Sequence, residues 1–243
     1  MNVAAIHSAE TRKNQLLAAL PDTDWRRWQA HLDLVDMPAG QVLCEAGDMP
    51  RHAWFPTTAA VSLMNLTQEG ESAEIALVGN EGVVGISLFM NCKAVTGRAV
   101  VQSAGKGYRL RARSVIEECD PQGRMQGLVL GYAHDLIMLV AQMAVCNRYH
   151  SLEQQFCRRL LAGLDHLPSN HLEMTHQLVA SLLGVRREGV TAAALKLQRD
   201  GLIRYTRGHI TVLDRHRLEE RTCECYAAAR NMLDRSQPIS LAA

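Results

Sequence analysis

Residues 124–150, RMQGLVLGYAHDLIMLVAQMAVCNRYH, contain no proline and are apolar on almost every side. A helix of that kind has to be covered all round, by lipid or by protein. Gln126, His134, Asp135 and Gln142 fall inside the run, and each costs free energy at a bilayer centre. The expectation is therefore a soluble helix and no membrane partner. One flank can rest on the chain's own core, and the other needs a partner. Leu128, Tyr132, Leu136, Leu139 and Met143 recur at three and four residues. This stripe predicts a dimerisation helix packed against its own copy. The alternative is the central helix of a monomer.

The helix separates two regions of different texture. Residues 40–107 hold nine of the seventeen glycines. Between them lie short β-prone runs, QVLCEAG, AAVSLMNL, SAEIALVG and GRAVVQSAG. Short strands punctuated by glycine predict a β-roll or jelly roll, preceded by a helical stretch over roughly 10–32. The fold class is α+β. The expected divisions are a β-roll sensor domain over 1–123, the dimerisation helix over 124–150 and a third domain over 151–243.

That third domain carries the functional signal. Thr175 is a helix N-cap candidate, and Leu178, Val179 and Leu182 make the apolar face of a short helix. Gly184 supplies a tight turn. A second helix begins at Arg186 or Arg187, with Val190, Ala193, Ala194 and Leu197 inward and Arg187, Glu188, Thr191, Ala192 and Leu195 outward. Asp200-Gly201 ends it. Leu202–Tyr205 and His209–Leu213 then alternate as strands around Thr206-Arg207-Gly208. The order predicts a winged helix-turn-helix.

The whole chain has a net charge of +1, but from Thr175 to Arg217 there are eight Lys and Arg against three acids. That basic stretch predicts a polyanion partner on one face. Helix N-termini prefer acids, so Arg186 and Arg187 suit a partner that brings its own negative charge. The base-reading candidates are Arg186, Arg187, Glu188 and Thr191. Arginine there can donate a bidentate pair to guanine O6 and N7, and glutamate can accept from cytosine N4. Thr175, His176, Arg207 and His209 are candidates for the phosphate backbone of double-stranded DNA. Gly189 lies inside the second helix at a cost of about 1 kcal/mol relative to alanine. One reading is that its bare backbone permits close approach to DNA; the other is a tolerated surface position.

Seven cysteines are scattered, and the first residues lack an apolar secretory segment. The expectation is a reducing cytoplasm with mostly free thiols. No C-x-x-C pair occurs, and Cys223-x-Cys225 is too closely spaced for an ordinary metal knuckle. The expectation is no metal, with thiol sensing a minor alternative. A cupin-type enzyme would need several inward histidines, and residues 40–110 offer only His52. G-x-S-x-G, Walker A and HExxH motifs are absent, and VGNEGVVG has no P-loop lysine. No enzyme is expected; an interaction protein that binds no nucleic acid is the other alternative.

The sequence resembles the Crp/Fnr family of bacterial transcription regulators over nearly its whole length. The resemblance is carried by the stretch from Thr175 through LGVRREGV and by MPAGQVLCEAGD at residues 37–48. It implies a cytoplasmic homodimer on a near-palindromic site, with recognition helices in successive major grooves about 34 Å apart. It also implies RNA polymerase as a further partner, and base-reading roles for Arg187 and Glu188. A further arginine usual in the family would fall at 191–192, where this chain has Thr191 and Ala192.

The resemblance also points to an effector region at Glu81, Gly85, Ile86, Arg98 and Ala99. Cyclic-nucleotide-binding members hold ribose and phosphate with a Gly-Glu pair and an Arg-Ser/Thr pair. Here Gly85 is followed by Ile86, Arg98 is followed by Ala99, and Glu81 is displaced. A cyclic nucleotide is left open and not favoured. The family's N-terminal iron–sulfur motif has no counterpart, since Cys44 is the first cysteine. His52, His134 and Cys92 carry no haem motif. The effector is expected to be another small-molecule or physical signal.

Overall fold

The computed structural model describes residues 13–92 and 94–235. Part of the helical stretch expected over 10–32 lies outside them. The described part holds two short helices, α1 (Gln15–Ala18) and α2 (Asp22–Gln29), because Pro21 stands between them and opens the second. Strand β1 (Leu32–Met37) follows directly.

The chain forms two compact units. Of the described residues, the first comprises those up to Leu63, those between Val78 and Ile137 and those from Met232 to Arg235; the second comprises Met64–Leu77 and Met138–Asn231. The strands that follow β1 are β2 (Val42–Cys44), β3 (His52–Pro56), β4 (Ala60–Leu66), β5 (Ser72–Val78), β6 (Gly97–Ser103) and β7 (Gly105–Arg111). They form one sheet ordered β1-β7-β3 and another ordered β2-β6-β4-β5. Phe55, Tyr108, Leu110, Met37, Val61 and Val101 are buried in the resulting core. Asn14 ties the N-terminal helix to this roll: its amide donates to Pro56 O and Gly82 O, while Oδ1 accepts from Leu17 N–H. Helix α3 (Ala112–Glu118) leads to the long helix α4 (Arg124–Tyr149).

Among the described residues, α4 alone is long and apolar enough to cross a membrane. Two of its polar residues are engaged inside the protein: Gln126 donates to Phe89 O at 3.0 Å, and Gln142 donates to Cys225 Sγ at 3.1 Å. The stripe read as a dimer contact needs correction. Tyr132 is buried in the β-roll core with Leu128 and Leu136 packed against that core, and Leu139 and Met143 are buried as well. Tyr132 lies so close to Gly82 that a Cβ there would meet its ring at 2.4 Å. That stripe is therefore the intramolecular face. The exposed apolar residues lie on another stripe: Leu130, Ile137, Met138 and Val145 are 48%, 65%, 43% and 48% exposed.

The second unit continues with α5 (Leu152–Asp165), β8 (His171–Glu173), α6 (His176–Leu183), α7 (Arg187–Arg199), β9 (Ile203–Thr206), β10 (His209–Val212), α8 (Arg215–Arg221) and α9 (Cys225–Arg235). Ser151 and Gln154 close a reciprocal capping box at the start of α5. Phe156, Leu160 and Leu161 of α5 are fully buried with Val179, Leu197, Leu202 and Ile210. The sheet is ordered β8-β10-β9, so the wing has a third strand beyond the expected pair.

Candidate nucleic-acid interface

The helix-turn-helix forms for local reasons. Thr175 caps α6, its Oγ1 accepting from Leu178 N–H at 3.1 Å. Gly184 ends the helix with φ +64 and ψ +38, a left-handed conformation open to glycine without a Cβ penalty. Helix α7 then runs from Arg187, with Val190, Ala193, Ala194 and Leu197 buried as its periodicity predicts. Both turn residues of the wing have positive φ, +42 at Arg207 and +89 at Gly208, as in the two-residue turns that match strand twist. Gly208 O accepts from Met174 N–H at 2.7 Å, so the wing tip is bonded beside the Thr175 cap.

The side chains of Arg186, Arg187 and Glu188 are exposed and make no hydrogen bond or ion pair among the described residues. Arg207, His209 and the Thr175 side chain are exposed too. Arg204, missed as a candidate, is also exposed, because β9 alternates with Ile203 buried and Arg204 outward. That period-two pattern was available in the sequence. Two of the eight cations in the basic stretch are engaged within the chain: Lys196 pairs with Glu153 at 2.5 Å, and Arg215 pairs with Asp165 and Glu219.

His176 and Thr191 differ from expectation. His176 is only 8% exposed. Its ring stacks on Tyr205 with centroids 4.0 Å apart, and Nδ1 lies 3.0 Å from Thr191 Oγ1. Thr191 Oγ1 in turn donates to Arg187 O at 3.0 Å, so the Nδ1–H of His176 is the donor to Thr191. His176 thus joins α6, α7 and the wing and is not a phosphate contact. The Thr191 hydroxyl is engaged inward and not offered to a base. Burial, and then the charge of Arg187, lower the His176 pKa below the ordinary 6.5. The folded unit therefore favours neutral His176. Its contribution to stability is complete above the ordinary value and is lost as pH falls toward the lowered folded value. Between about pH 7.5 and about pH 5.5, the urea midpoint is expected to fall more for the native chain than for His176→Phe. Equal falls would contradict this.

Gly189 is half-buried, and a Cβ there would meet Leu152 Cδ2 at 2.7 Å. Its bare backbone admits Leu152 of α5, a packing reason that neither reading of the sequence supplied. Gly189→Ala is expected to leave DNA affinity within about twofold, while Leu152 must shift to admit the methyl. A tenfold affinity loss at unchanged thermal midpoint would support the DNA role.

In the first unit, the five effector candidates take different places in the fold. Glu81 is buried, with Oε1 accepting from Gly79 N–H at 2.7 Å. Gly85, with φ +89, opens a single 3₁₀ turn, Ile86–Leu88. Ile86 packs against the core. Arg98 pairs with Glu45 at 3.1 Å. Ala99, its neighbour on β6, is 4% exposed and belongs to the core, as alternation along a strand requires. Ala99 therefore points away from the side that Arg98 occupies.

Comparisons with known proteins agree with both units. Residues 34–120 match the cyclic nucleotide-binding domain, and residues 154–221 match the Crp-like helix-turn-helix domain. No curated protein matches the chain. Among solved structures, a Eubacterium rectale protein assigned to the Crp/Fnr family of transcriptional regulators is 20% identical, with TM-score 0.63 over 86% of this chain and 98% of that one. The c-di-GMP-responsive global regulator CLP of Xanthomonas campestris is 16% identical, with TM-score 0.63 over 80% and 100%. A CRP-family transcriptional regulator of Thermus thermophilus is 18% identical, with TM-score 0.64 over 77% and 95%. At these identities the structures speak to fold, and the two domain matches speak to kind: the chain is a Crp/Fnr-family transcription regulator, with a DNA-binding helix-turn-helix and a cyclic nucleotide-binding-like sensor domain.

Proposed function

We propose that this regulator binds a near-palindromic duplex site as a homodimer and reads bases with the first turn of α7. The observation that carries this reading is the exposed, unpaired set Arg186, Arg187 and Glu188 at that turn. Arginine forks suit guanine edges, and Glu188 suits cytosine N4. The N-terminal N–H groups of α6 beside Thr175, together with Arg204, Arg207 and His209, supply backbone contacts. Self-association uses the exposed stripe of α4 that carries Leu130, Ile137, Met138 and Val145. RNA polymerase is a further partner, and the cytoplasm is the place of action.

The sensor responds to a signal other than cyclic AMP held in the usual way. Ile86 stands where a ribose-binding glutamate would follow Gly85, and Arg98 already has Glu45 as its partner. A related fold serves the c-di-GMP-responsive CLP, so a β-roll of this kind is not tied to one ligand. Selected-site sequencing with the purified chain, with and without cyclic AMP, tests both halves. The expected result is an inverted-repeat site unaffected by cyclic AMP, bound at about 10⁻⁸–10⁻¹¹ M with affinity falling steeply as salt rises. Binding that is sequence-blind sinks the base-reading proposal, and binding that requires cyclic AMP sinks the effector proposal.

A further inference from the structure

Four side chains that are scattered in the sequence meet at the end of α4. Cys146 lies in its last turn and His150 just beyond it, at the i and i+4 spacing that puts two side chains on one helix face. Cys223 lies in the connection after α8, and Cys225 opens α9. The four potential ligand atoms all lie within 4.8 Å of one another. Cys146 Sγ is 3.5 Å from Cys223 Sγ, and Cys225 Sγ is 3.5 Å from His150 Nδ1. All three cysteines are buried, and His150 is half-buried.

We propose that Cys146, His150, Cys223 and Cys225 form a closed, tetrahedral Cys₃His site for Zn²⁺. The spacing fits the ion: zinc–sulfur bonds of about 2.3 Å at tetrahedral angles place two sulfurs about 3.8 Å apart. Soft thiolates with one imidazole select zinc over magnesium or calcium. A four-iron cluster would insert its own cube of iron and sulfide between the ligands and hold the sulfurs farther apart. A disulfide between Cys146 and Cys223 would need sulfurs about 2.05 Å apart and would give His150 and Cys225 no role.

The surroundings are those of a ligand set. His150 Nε2 lies 3.2 Å from Glu224 Oε1. That carboxylate fixes the ring so that Nδ1 faces the sulfurs, the arrangement that orients metal-binding histidines. Gln142 Nε2 donates to Cys225 Sγ at 3.1 Å. Gln155 Nε2 holds the His150 carbonyl at 2.9 Å. Three thiolates, a neutral imidazole and Zn²⁺ carry a net charge of −1, and the field of Arg158 acts on Cys146 to offset it. With four protein ligands, no position is left for water or substrate, so the site is structural. It fastens the start of α9 to the last turn of α4.

The test uses the full-length chain. Purified without chelator, it is expected to carry one zinc per chain by elemental analysis. After the zinc is removed, Co²⁺ is expected to give thiolate charge-transfer bands and the intense visible absorption of tetrahedral cobalt. Cys225→Ser is expected to lose stoichiometric zinc, whereas Cys92→Ser, which changes an exposed cysteine, retains it. Glu224→Gln, on an exposed side chain, keeps the ligands and is expected to weaken zinc binding about 10–100-fold. Octahedral cobalt spectra, metal far below stoichiometry, iron with sulfide, or a Cys146–Cys223 disulfide in a peptide map would each overturn the proposal.

Discussion

Arg159→Ala is expected to lower stability by about 3–5 kcal/mol, the loss that follows when one partner of a buried ion pair is removed. The Arg159 side chain is 2% exposed and that of Glu74 is 8% exposed. Nε lies 2.7 Å from Glu74 Oε1, and Nη2 donates to Oε2 at 3.1 Å. Both residues belong to the second compact unit. Alanine would leave a buried carboxylate without its guanidinium and a void beside Gly163, whose Cβ position lies 3.2 Å from Arg159 Nη1. The double replacement Arg159→Met with Glu74→Leu removes both charges while filling the space, and is expected to cost less than Arg159→Ala alone. Urea unfolding of the three chains checks this, and an Arg159→Ala loss below about 1 kcal/mol would show that the pair contributes little.

Arg187→Ala is expected to cost about 1–3 kcal/mol on the selected site, roughly a 5–150-fold weaker Kd, and to relax preference at one base position in each half-site. Arg207→Ala is expected to weaken specific and random duplexes alike and to lower the salt slope by about one. Fluorescence anisotropy on both duplexes across a salt series separates the two behaviours. Equal loss on specific and random DNA for Arg187→Ala would assign that residue to the backbone. Arg187 also adds positive field at His176, so the measurement belongs well above the histidine range.

The winged helix-turn-helix was legible because its signals are local. Thr175 caps, Gly184 turns left-handed, and the inward set Val190, Ala193, Ala194 and Leu197 follows helical period. Asp200-Gly201 stops α7, with Gly201 at φ +74. The β-roll was legible as a class and less so strand by strand. HAWFP of β3 is buried from Ala53 to Pro56, so it lacks the alternation that marks a half-exposed strand.

What failed depended on partners that sequence does not display. An all-round apolar helix has more than one apolar stripe, and periodicity cannot say which stripe meets the chain's own core. Tyr132 and its neighbours met it; Ile137 did not. His176 looked like a polar residue at a helix start, and only the arrival of Tyr205 and Thr191 gave it an inward role. Cys146 and His150 stand far from Cys223 and Cys225 in sequence, so pairwise spacing alone could not reveal the cluster.

The inward hydroxyl of Thr191 narrows what a single chain can spell. In the proposed mode of binding, reading is left to the first turn of α7, and three side chains there address only a few adjacent base pairs. So short a word recurs by chance throughout a genome, where competing sites number about 10⁶–10⁹. In the proposed dimer the word is read twice, at an interval set by the protein rather than by chemistry at the bases. The empty letters between the two words then become part of the address, and the length of that gap separates a target from its many partial copies.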